Sequence, residues 1–369
     1  MSTGTLDLTL LARESVRGLP LYVPEAAAGA LDLSDSVNLW GTPPAALRAL
    51  VEPQGGLVSR YPSPRSESLA PALLRYLGLD DTVGVRVVTG CGSDDVLDSA
   101  MRAFGVAGDR IAFSTPTFSM VPLFARLNGL EPLPIPFGDD FDLDADRLVA
   151  SRAKITYLCA PNNPTGTGIS RTAVEHVVSC ATGIVLLDEA YAEFAPESFA
   201  DLVARYERLV VVRTFSKAFG MAGLRIGYAA GAASIIGMIE RARGPYKVSV
   251  LAERAALAAL ADTNDALGWV HERARLAVEI RDRVAIALMA MGFPPLPSAA
   301  NFLCIPTRDA TRLAARLREC GVLVRHFTGL PREPRTLARA DGAALRVGIG
   351  PWEVMQRFLD AFAEARACE

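Results

Sequence analysis

Lysine, whose amine can bond covalently to an aldehyde, occurs only three times in this 369-residue chain. Arginine keeps its proton in proteins, so a reactive amine has to be Lys154, Lys217 or Lys247. Lys217 follows the apolar run LVVVR within RTFSKAFGMAGLRIGY, and a strand-end loop among apolar residues desolvates an ammonium and lowers its pKa. Lys154 begins another strand-like run, so we expect it to be a surface lysine. Lys247 follows GPY in a predicted loop, so we expect it to be a solvent or rim residue. We predict that Lys217 is the reactive amine.

A carboxylate stands at the end of one apolar strand. Asp188 closes the run GIVLL, and a buried carboxylate is costly unless it is paired. A protonated pyridine nitrogen would be such a partner; the alternative is that Asp188 caps a helix. Tyr191 and Asn163 can donate hydrogen bonds to a phenolate oxygen. With Lys217, these residues supply what pyridoxal 5'-phosphate (PLP) needs from a protein.

A phosphate needs N–H groups, hydroxyls and usually an arginine. Ser216 and Arg225 flank Lys217 in sequence and can serve one phosphate. The segment Gly92-Ser93-Asp94 follows a predicted strand and opens a predicted helix, which presents backbone N–H groups. Phe118, at the next strand end, can stack on a pyridine ring, although a loop aromatic also serves ordinary packing.

Two arginines interrupt apolar strands near the C-terminus. Arg346 lies in LRVGIG and Arg325 in VLVRHF. A buried arginine needs an anion, and a substrate carboxylate or phosphate satisfies it bidentately. An internal salt bridge is the alternative for each.

The elements that position these residues alternate between strand and helix. Strand-like runs at 85–89, 110–113, 154–159, 184–187 and 209–213 each lead into a polar loop, so we predict a mostly parallel sheet covered on both faces. Ligands bind at the carboxyl ends of such strands. A long helix at 265–291, strands at 301–305, 322–326 and 345–349, a helix at 310–320 and a last helix from Trp352 predict a smaller α/β domain. We expect a large domain at 41–264 and a small domain at 265–369 that residues 1–40 join.

Composition limits the class of protein. The net charge of −3 does not favour a nucleic-acid partner, and no apolar run approaches the length of a membrane span. The six cysteines are scattered, and no signal peptide is visible, so we expect a cytoplasmic protein with reduced thiols. The three histidines lack metal-ligand spacing.

The chain resembles the fold-type I PLP family, specifically class I/II aminotransferases of the histidinol-phosphate aminotransferase group. The resemblance lies in RYP (60–62), GSDD (92–95), PTFSM (116–120), APNNPTG (160–166), LDEAY (187–191), TFSKAFGMAGLR (214–225), VR (324–325) and LRVGIG (345–350). It implies a large domain with a mostly parallel, seven-stranded sheet and a smaller α/β C-terminal domain.

The resemblance also implies roles for individual residues. Lys217 would form the Schiff base, Asp188 would pair with the pyridine nitrogen, and Tyr191 and Asn163 would bind the phenolate oxygen. Phe118 would stack on the ring. The phosphate would be bound by Ser93, Asp94, Ser216 and Arg225, and by Tyr61 from the neighbouring subunit of a homodimer. Gly92 and Thr214 would also bind the cofactor. The substrate side would hold Arg346 at the carboxylate, Tyr22 and Arg325 at the phosphate end, and Asn38.

Three features depart from the family pattern. NLWG stands at 38–41 where an N-E-N-P-like segment is usual, Val121 replaces a second tyrosine, and the stretch 328–342 is longer and more basic. We expect all three near the substrate, so they bear on substrate choice.

The resemblance implies transamination in two halves, with glutamate and 2-oxoglutarate as one donor and acceptor pair and histidinol phosphate as the other amino compound, in histidine biosynthesis. An aminotransferase for aromatic or other amino acids in specialised metabolism is the next hypothesis. A decarboxylase of a phosphorylated amino acid is the third, because the same electron sink supports loss of CO₂. A PLP-binding regulator would need a DNA-binding module, for which the sequence before the first motif leaves no room.

Overall fold

The computed structural model describes residues 8–19, 21, 29–51, 56–79 and 82–367. The strands, in chain order, are β1 (Leu31–Asp32), β2 (Val85–Gly90), β3 (Arg110–Thr115), β4 (Glu131–Pro136), β5 (Ile155–Cys159), β6 (Ile184–Asp188), β7 (Leu209–Thr214), β8 (Gly227–Ala232), β9 (Phe302–Pro306), β10 (Val322–Leu323), β11 (Arg325–Phe327) and β12 (Ala344–Gly348). The helices are α1 (Glu14–Arg17), α2 (Pro44–Val51), α3 (Leu69–Tyr76), α4 (Gly92–Phe104), α5 (Met120–Leu127), α6 (Ala145–Ala150), α7 (Arg171–Cys180), α8 (Ala233–Ala242), α9 (Val250–Ala259), α10 (Leu267–Ala290), α11 (Ala310–Glu319), α12 (Arg335–Arg339) and α13 (Trp352–Ala367). Short 3₁₀ turns span Leu8–Leu11, Leu57–Ser59, Ala192–Phe194, Ala200–Ala204 and Ala222–Leu224.

The larger sheet has seven strands in the order β2-β8-β7-β6-β5-β3-β4. The strands from β7 to β4 in this order are parallel neighbours, and β8 is antiparallel to both β2 and β7. β5, β6 and β7 are buried along their whole length, as expected for largely apolar strands that helices cover on both faces. The prediction of a mostly parallel α/β sheet is confirmed.

Two strands of this sheet were not predicted from the sequence. β4 reads EPLPIP, and proline is excluded from central strands because it lacks an N–H donor. The position of β4 at the edge of the sheet accommodates the prolines. β8 reads GYAAGA, and its small residues carry little strand signal.

A second, smaller unit follows the 24-residue helix α10. Its strands β11, β12 and β9 form an antiparallel sheet, and β1 pairs in parallel with β10. The predicted strand at 322–326 is divided at Val324, because β10 pairs with β1 whereas β11 pairs with β12.

The segment around β1 lies on this smaller unit. The amide of Gly348 donates to the carbonyl of Leu33 at 2.8 Å, and Asn301 Nδ2 donates to the carbonyl of Ser36 at 3.0 Å. We propose on these contacts that residues 29–40 belong with residues 265–369, and that residues 41–264 form the large unit. The expectation that residues 1–40 join the smaller unit does not extend to α1, which lies against α5 of the large unit. Residues 1–7, 20 and 22–28 lie outside the described part of the chain.

Within the described ranges, no helix is both long and apolar enough to cross a bilayer. The same part of the chain contains no cluster of three or more His, Cys, Asp or Glu side chains placed to hold a metal ion.

Candidate active site

A cavity of about 660 Å³ opens where β5, β6 and β7 end and where the smaller unit meets the large sheet. It brings together most of the residues singled out from the sequence. Those lining it are Ser93, Asp94, Phe118, Asn163, Asp188, Tyr191, Thr214, Ser216, Lys217, Arg225, Arg325 and Arg346. Polar residues collect here because the carboxyl ends of parallel strands meet at one edge of the sheet.

Lys217 lies in the loop after β7, and its Nζ donates a hydrogen bond to the carbonyl of Asp35 at 2.9 Å. The same atom is 5.5 Å from the centre of the Tyr191 ring. Burial of the amine lowers the pKa of Lys217 to about 8, and the guanidinium of Arg346 adds to that effect. The cavity therefore contains an amine that loses its proton far more readily than an ordinary lysine.

Asp188 ends β6 and is only 3% exposed. Its Oδ2 accepts a hydrogen bond from the hydroxyl of Tyr157 at 2.9 Å, and its Oδ1 accepts from the amide of Ala190 at 3.1 Å. Burial raises the pKa of Asp188 to about 6, although both hydrogen bonds act to lower it. Asp188 thus orders the following turn and also faces the cavity.

An anion cradle lies at the start of α4, where Ser93 and Asp94 form the first turn. Arg225 has left-handed backbone geometry (φ 51°), and its Nη2 is 3.5 Å from Oδ2 of Asp94. The hydroxyl of Thr214 donates to the hydroxyl of Ser216 at 3.0 Å. Burial raises the pKa of Asp94, and Arg225 opposes that rise. Backbone N–H groups, hydroxyls and a guanidinium are the groups that bind phosphate.

Gly92 is part of the cradle without lining the cavity. Its φ is +80°, and a Cβ there would lie 2.7 Å from Nη2 of Arg225. Glycine at this position allows the guanidinium to approach the loop.

Arg346 lies in β12 and is buried. Its Nη1 donates to Oδ1 of Asn163 at 2.7 Å, and its Nη2 donates to the carbonyl of Ser34 at 2.5 Å. Its Nε is buried without a hydrogen-bond partner, and no ion pair to Arg346 occurs within the described residues. An internal salt bridge therefore does not account for Arg346, which remains available for an anion.

Arg325 lies at the start of β11 and, unlike Arg346, has an ion-pair partner. Its Nη2 is 3.2 Å from Oδ1 of Asp35. The internal ion pair that the sequence left open for this arginine is thus present, although Arg325 still lines the cavity.

Two more of the predicted residues lie outside the cavity wall, and a third is not described. Asn38 Nδ2 donates to the carbonyl of Ala218 at 2.8 Å, so its side chain holds the Lys217 loop from outside the cavity wall. Tyr61 is 82% exposed and stacks on Tyr246 with ring centres 4.7 Å apart. Tyr22 lies outside the described residues.

Two of the departures from the family pattern also lie away from the cavity wall. Val121 is fully buried in the core. In the stretch 328–342, Leu337 is buried against Phe141 and Leu296, and Arg335 pairs with Asp139 at 2.9 Å. The expectation that both features lie near the substrate is not supported by these contacts.

Sequence reasoning missed several lining residues, among them Asp35, His326 and Phe327. It also missed Tyr157, whose place inside the apolar run KITYLC gave it the pattern of a core residue. Lys247 was interpreted as a solvent or rim residue, and its side chain is 29% exposed, but the pairing of its Nζ with Asp95 at 2.8 Å was not predicted.

These groups fit PLP. A buried amine with a lowered pKa suits its aldehyde, a buried carboxylate suits its ring nitrogen, and the cradle at α4 suits its phosphate. The fold and the cavity together define a fold-type I PLP-dependent enzyme.

The chain belongs to the class I and II aminotransferases. The model of the family "Aminotransferase class I and II" matches residues 28–362. The chain is 41% identical to the histidinol-phosphate aminotransferase of Roseiflexus castenholzii over 87% of this chain and 91% of that one. It is 37% identical to the histidinol-phosphate aminotransferase of Erythrobacter litoralis over 95% and 96%. The crystal structure of histidinol-phosphate aminotransferase from Sinorhizobium meliloti in complex with pyridoxal-5'-phosphate has a TM-score of 0.81 and 25% identity, and covers 92% of each chain. The chain is therefore a PLP-dependent transaminase.

Proposed function

We propose that this transaminase moves an amino group between histidinol phosphate and 2-oxoglutarate. The observation that carries the proposal is one cavity that holds Lys217, Asp188 and the buried Arg346, whose Nε has no partner. The substrate is supported by the two relatives described above, both named histidinol-phosphate aminotransferase.

When bound, PLP supplies an electron-withdrawing ring that stabilises the negative charge left on a substrate carbon as its proton leaves. Lys217 would hold the aldehyde carbon of the cofactor. Its amine, once free, is the base that removes the proton from the substrate Cα, because a pKa of about 8 leaves an appreciable neutral fraction at physiological pH. The same Nζ would carry that proton away from Cα and hold it for the second proton transfer.

Asp188 would hold the proton of the pyridine nitrogen, since an ionised carboxylate in a buried site favours a cation opposite it. Tyr191 and Asn163 would donate to the phenolate oxygen, and Phe118 would cover a face of the ring. All of them line the same cavity.

The phosphate of the cofactor would be bound by Ser93, Thr214, Ser216, Arg225 and the first amides of α4. Asp94, 3.5 Å from Arg225, orients that guanidinium. Fixed charges and amide dipoles in place before binding lower the cost of ordering the cofactor.

The far end of the cavity would hold the substrate's anions. Arg346 would bind the α-carboxylate of glutamate or of 2-oxoglutarate through its guanidinium. Arg325, which faces the same cavity from β11, would bind the phosphate of histidinol phosphate together with Tyr22.

We further propose that the enzyme is a cytoplasmic homodimer in which Tyr61 reaches the cofactor phosphate of a second copy. The exposed stack of Tyr61 on Tyr246 is the kind of apolar surface that an interface covers. Free thiols at Cys159 and Cys304 are compatible with a reducing compartment. Light scattering should give the mass of two chains, and the mass of one chain would exclude the shared site.

A substrate panel tests the proposed reaction. With 2-oxoglutarate as acceptor, histidinol phosphate is expected to exceed histidinol by roughly 100-fold in kcat/KM, because charge-assisted bonds to the phosphate are lost in histidinol. Arg325→Met should remove most of that preference. A higher kcat/KM for aromatic amino acids would overturn the substrate assignment, and CO₂ release without glutamate formation would overturn transamination.

A further inference from the structure

Lys247 makes a polar contact with the first turn of α4. Its Nζ lies 2.8 Å from Oδ1 of Asp95, and the two side chains are 29% and 12% exposed. Neither residue lines the cavity, so the transamination chemistry described above does not use them.

Asp95 closes the turn that begins α4. Its Oδ2 accepts a hydrogen bond from the amide of Cys91 at 3.0 Å, and Cys91, the N-cap residue, makes no side-chain capping bond of its own. A Cβ on Gly90 would lie 2.9 Å from the same Oδ2. Asp95 therefore satisfies the backbone N–H of the N-cap residue and ties Cys91 to the first turn of α4, which contains Ser93 and Asp94.

The backbone that carries Lys247 is firmly anchored. Val248 is 2% exposed within the core. Ser249 caps α9, because its Oγ accepts from the amide of Ala252 at 3.2 Å. Lys247 thus links the first turn of α4, which forms part of the cradle, to a buried part of the large unit.

The carboxylates in the first turn of α4 need neighbouring cations if a phosphate is to bind there. Asp94 and Asp95 are adjacent carboxylates at the start of α4, and an unbalanced carboxylate repels a phosphate dianion. Arg225 faces Asp94, and Lys247 faces Asp95. Each carboxylate therefore has its own cation.

We propose that Lys247 is a positioning residue for the cofactor phosphate: its ion pair with Asp95 fixes the first turn of α4 and neutralises a carboxylate next to the phosphate cradle. The inference rests on the proposed phosphate site at Ser93, Ser216 and Arg225. Lys247 acts through Asp95 and the first turn of α4, and it does not contact the substrate.

The test compares the affinity of the full-length, cofactor-stripped chain for PLP with its affinity for pyridoxal, which lacks the phosphate. Lys247→Met is expected to weaken PLP binding about three- to tenfold, the size expected of a partly exposed ion pair, and to leave pyridoxal binding within about twofold. Lys154→Met, at an exposed lysine before β5, is the matched control and should change neither affinity. Lys247→Arg should keep the preference for PLP, because it keeps the charge.

The double variant Lys247→Met with Asp95→Asn separates charge from folding. Removing the unpaired carboxylate should restore part of the PLP affinity that Lys247→Met loses. If the wild-type chain favours PLP over pyridoxal and Lys247→Met keeps that full preference, the role of Lys247 is wrong while the phosphate site stands. If the wild-type chain shows no preference, both are wrong. Melting temperatures show whether each variant folds, and Lys247→Gln replaces Lys247→Met if the latter does not.

Discussion

The hydroxyl of Tyr157 donates a hydrogen bond to Oδ2 of Asp188 at 2.9 Å, and both side chains are buried. Tyr157 lies within β5, two residues before Cys159, which pairs in register with Asp188 on β6. Burial raises the pKa of Asp188 to about 6, and the bond from Tyr157 is the largest influence that opposes this rise. Tyr157 thus helps to keep the carboxylate ionised near neutral pH.

Tyr157→Phe is expected to raise the pKa of Asp188 further, because a hydrogen bond to the charged form is lost. The acidic limb of the kcat profile should move to higher pH, with kcat on that limb about tenfold lower, since one hydrogen bond to a charged group contributes about 1.5–3 kcal/mol. Steady-state rates across the acidic and neutral range measure this. Tyr206→Phe, at a tyrosine beside Arg205 and outside the cavity wall, is the control. An unmoved limb would contradict the role of Tyr157.

The rate at which the cofactor-stripped chain captures PLP should follow the ionisation of Lys217. The pKa of this amine is lowered to about 8, so the neutral, nucleophilic form increases as pH rises towards 8 and is complete above it. Capture should slow roughly tenfold for each pH unit below 8 and level off above it. Stopped-flow absorbance at several pH values gives the profile, with Nα-acetyl-lysine as the reference amine. A rate that still rises steeply near the ordinary lysine pKa would show that the site leaves the amine unperturbed.

Arg346→Lys should weaken the handling of α-carboxylates, because an ammonium cannot reproduce a bidentate guanidinium. We expect kcat/KM for glutamate to fall roughly 10- to 100-fold, mostly through KM, from the loss of one charged hydrogen bond. Arg281→Lys is the matched control, since Arg281 is also buried but donates to the carbonyl of Ala300 at 3.2 Å and does not line the cavity. Equal effects of the two variants would argue that Arg346 serves only the fold.

Gly220→Ala should destabilise the chain by a few kcal/mol, because the residue has φ +62° and a Cβ would lie 1.8 Å from the carbonyl oxygen of Gly41. Gly220 also accepts a hydrogen bond from the hydroxyl of Thr42 at 2.7 Å, so the clash would displace the loop that carries Lys217. Gly223→Ala is the control, because nothing lies within 4 Å of its Cβ position. The melting temperatures of both variants test this prediction. Similar melting temperatures would contradict the close contact between Gly220 and the carbonyl oxygen of Gly41.

The sequence allowed the parallel sheet and most of the cavity wall to be predicted. Asp188 and Lys217 each follow a long apolar run, and parallel strands place such ends at one edge. The packing behind Lys217 could not be predicted, because it depends on contacts across the chain. Asn38 and Thr42 reach the loop through hydrogen bonds to residues about 180 positions later.

Other contacts could not be predicted from the sequence for reasons particular to each residue. Tyr157 has the pattern of a core aromatic, and only the register of β5 beside β6 shows that its hydroxyl meets Asp188. Lys247 was interpreted as a solvent or rim residue, and its ion pair could not be predicted because only the fold places Asp95 within its reach. Arg325 and Arg346 look alike in sequence, yet one has an ion-pair partner in Asp35 and the other has none among the described residues.

Borohydride reduction of the PLP-loaded protein, followed by peptide mass mapping, tests the central claim most directly. The sequence contains only Lys154, Lys217 and Lys247 as side-chain amines, so three peptides cover the alternatives. We expect a single pyridoxyl-modified residue, Lys217, and loss of that modification when glutamate is added before reduction. Modification at Lys154 or Lys247 in place of Lys217, or no stable adduct, would contradict it.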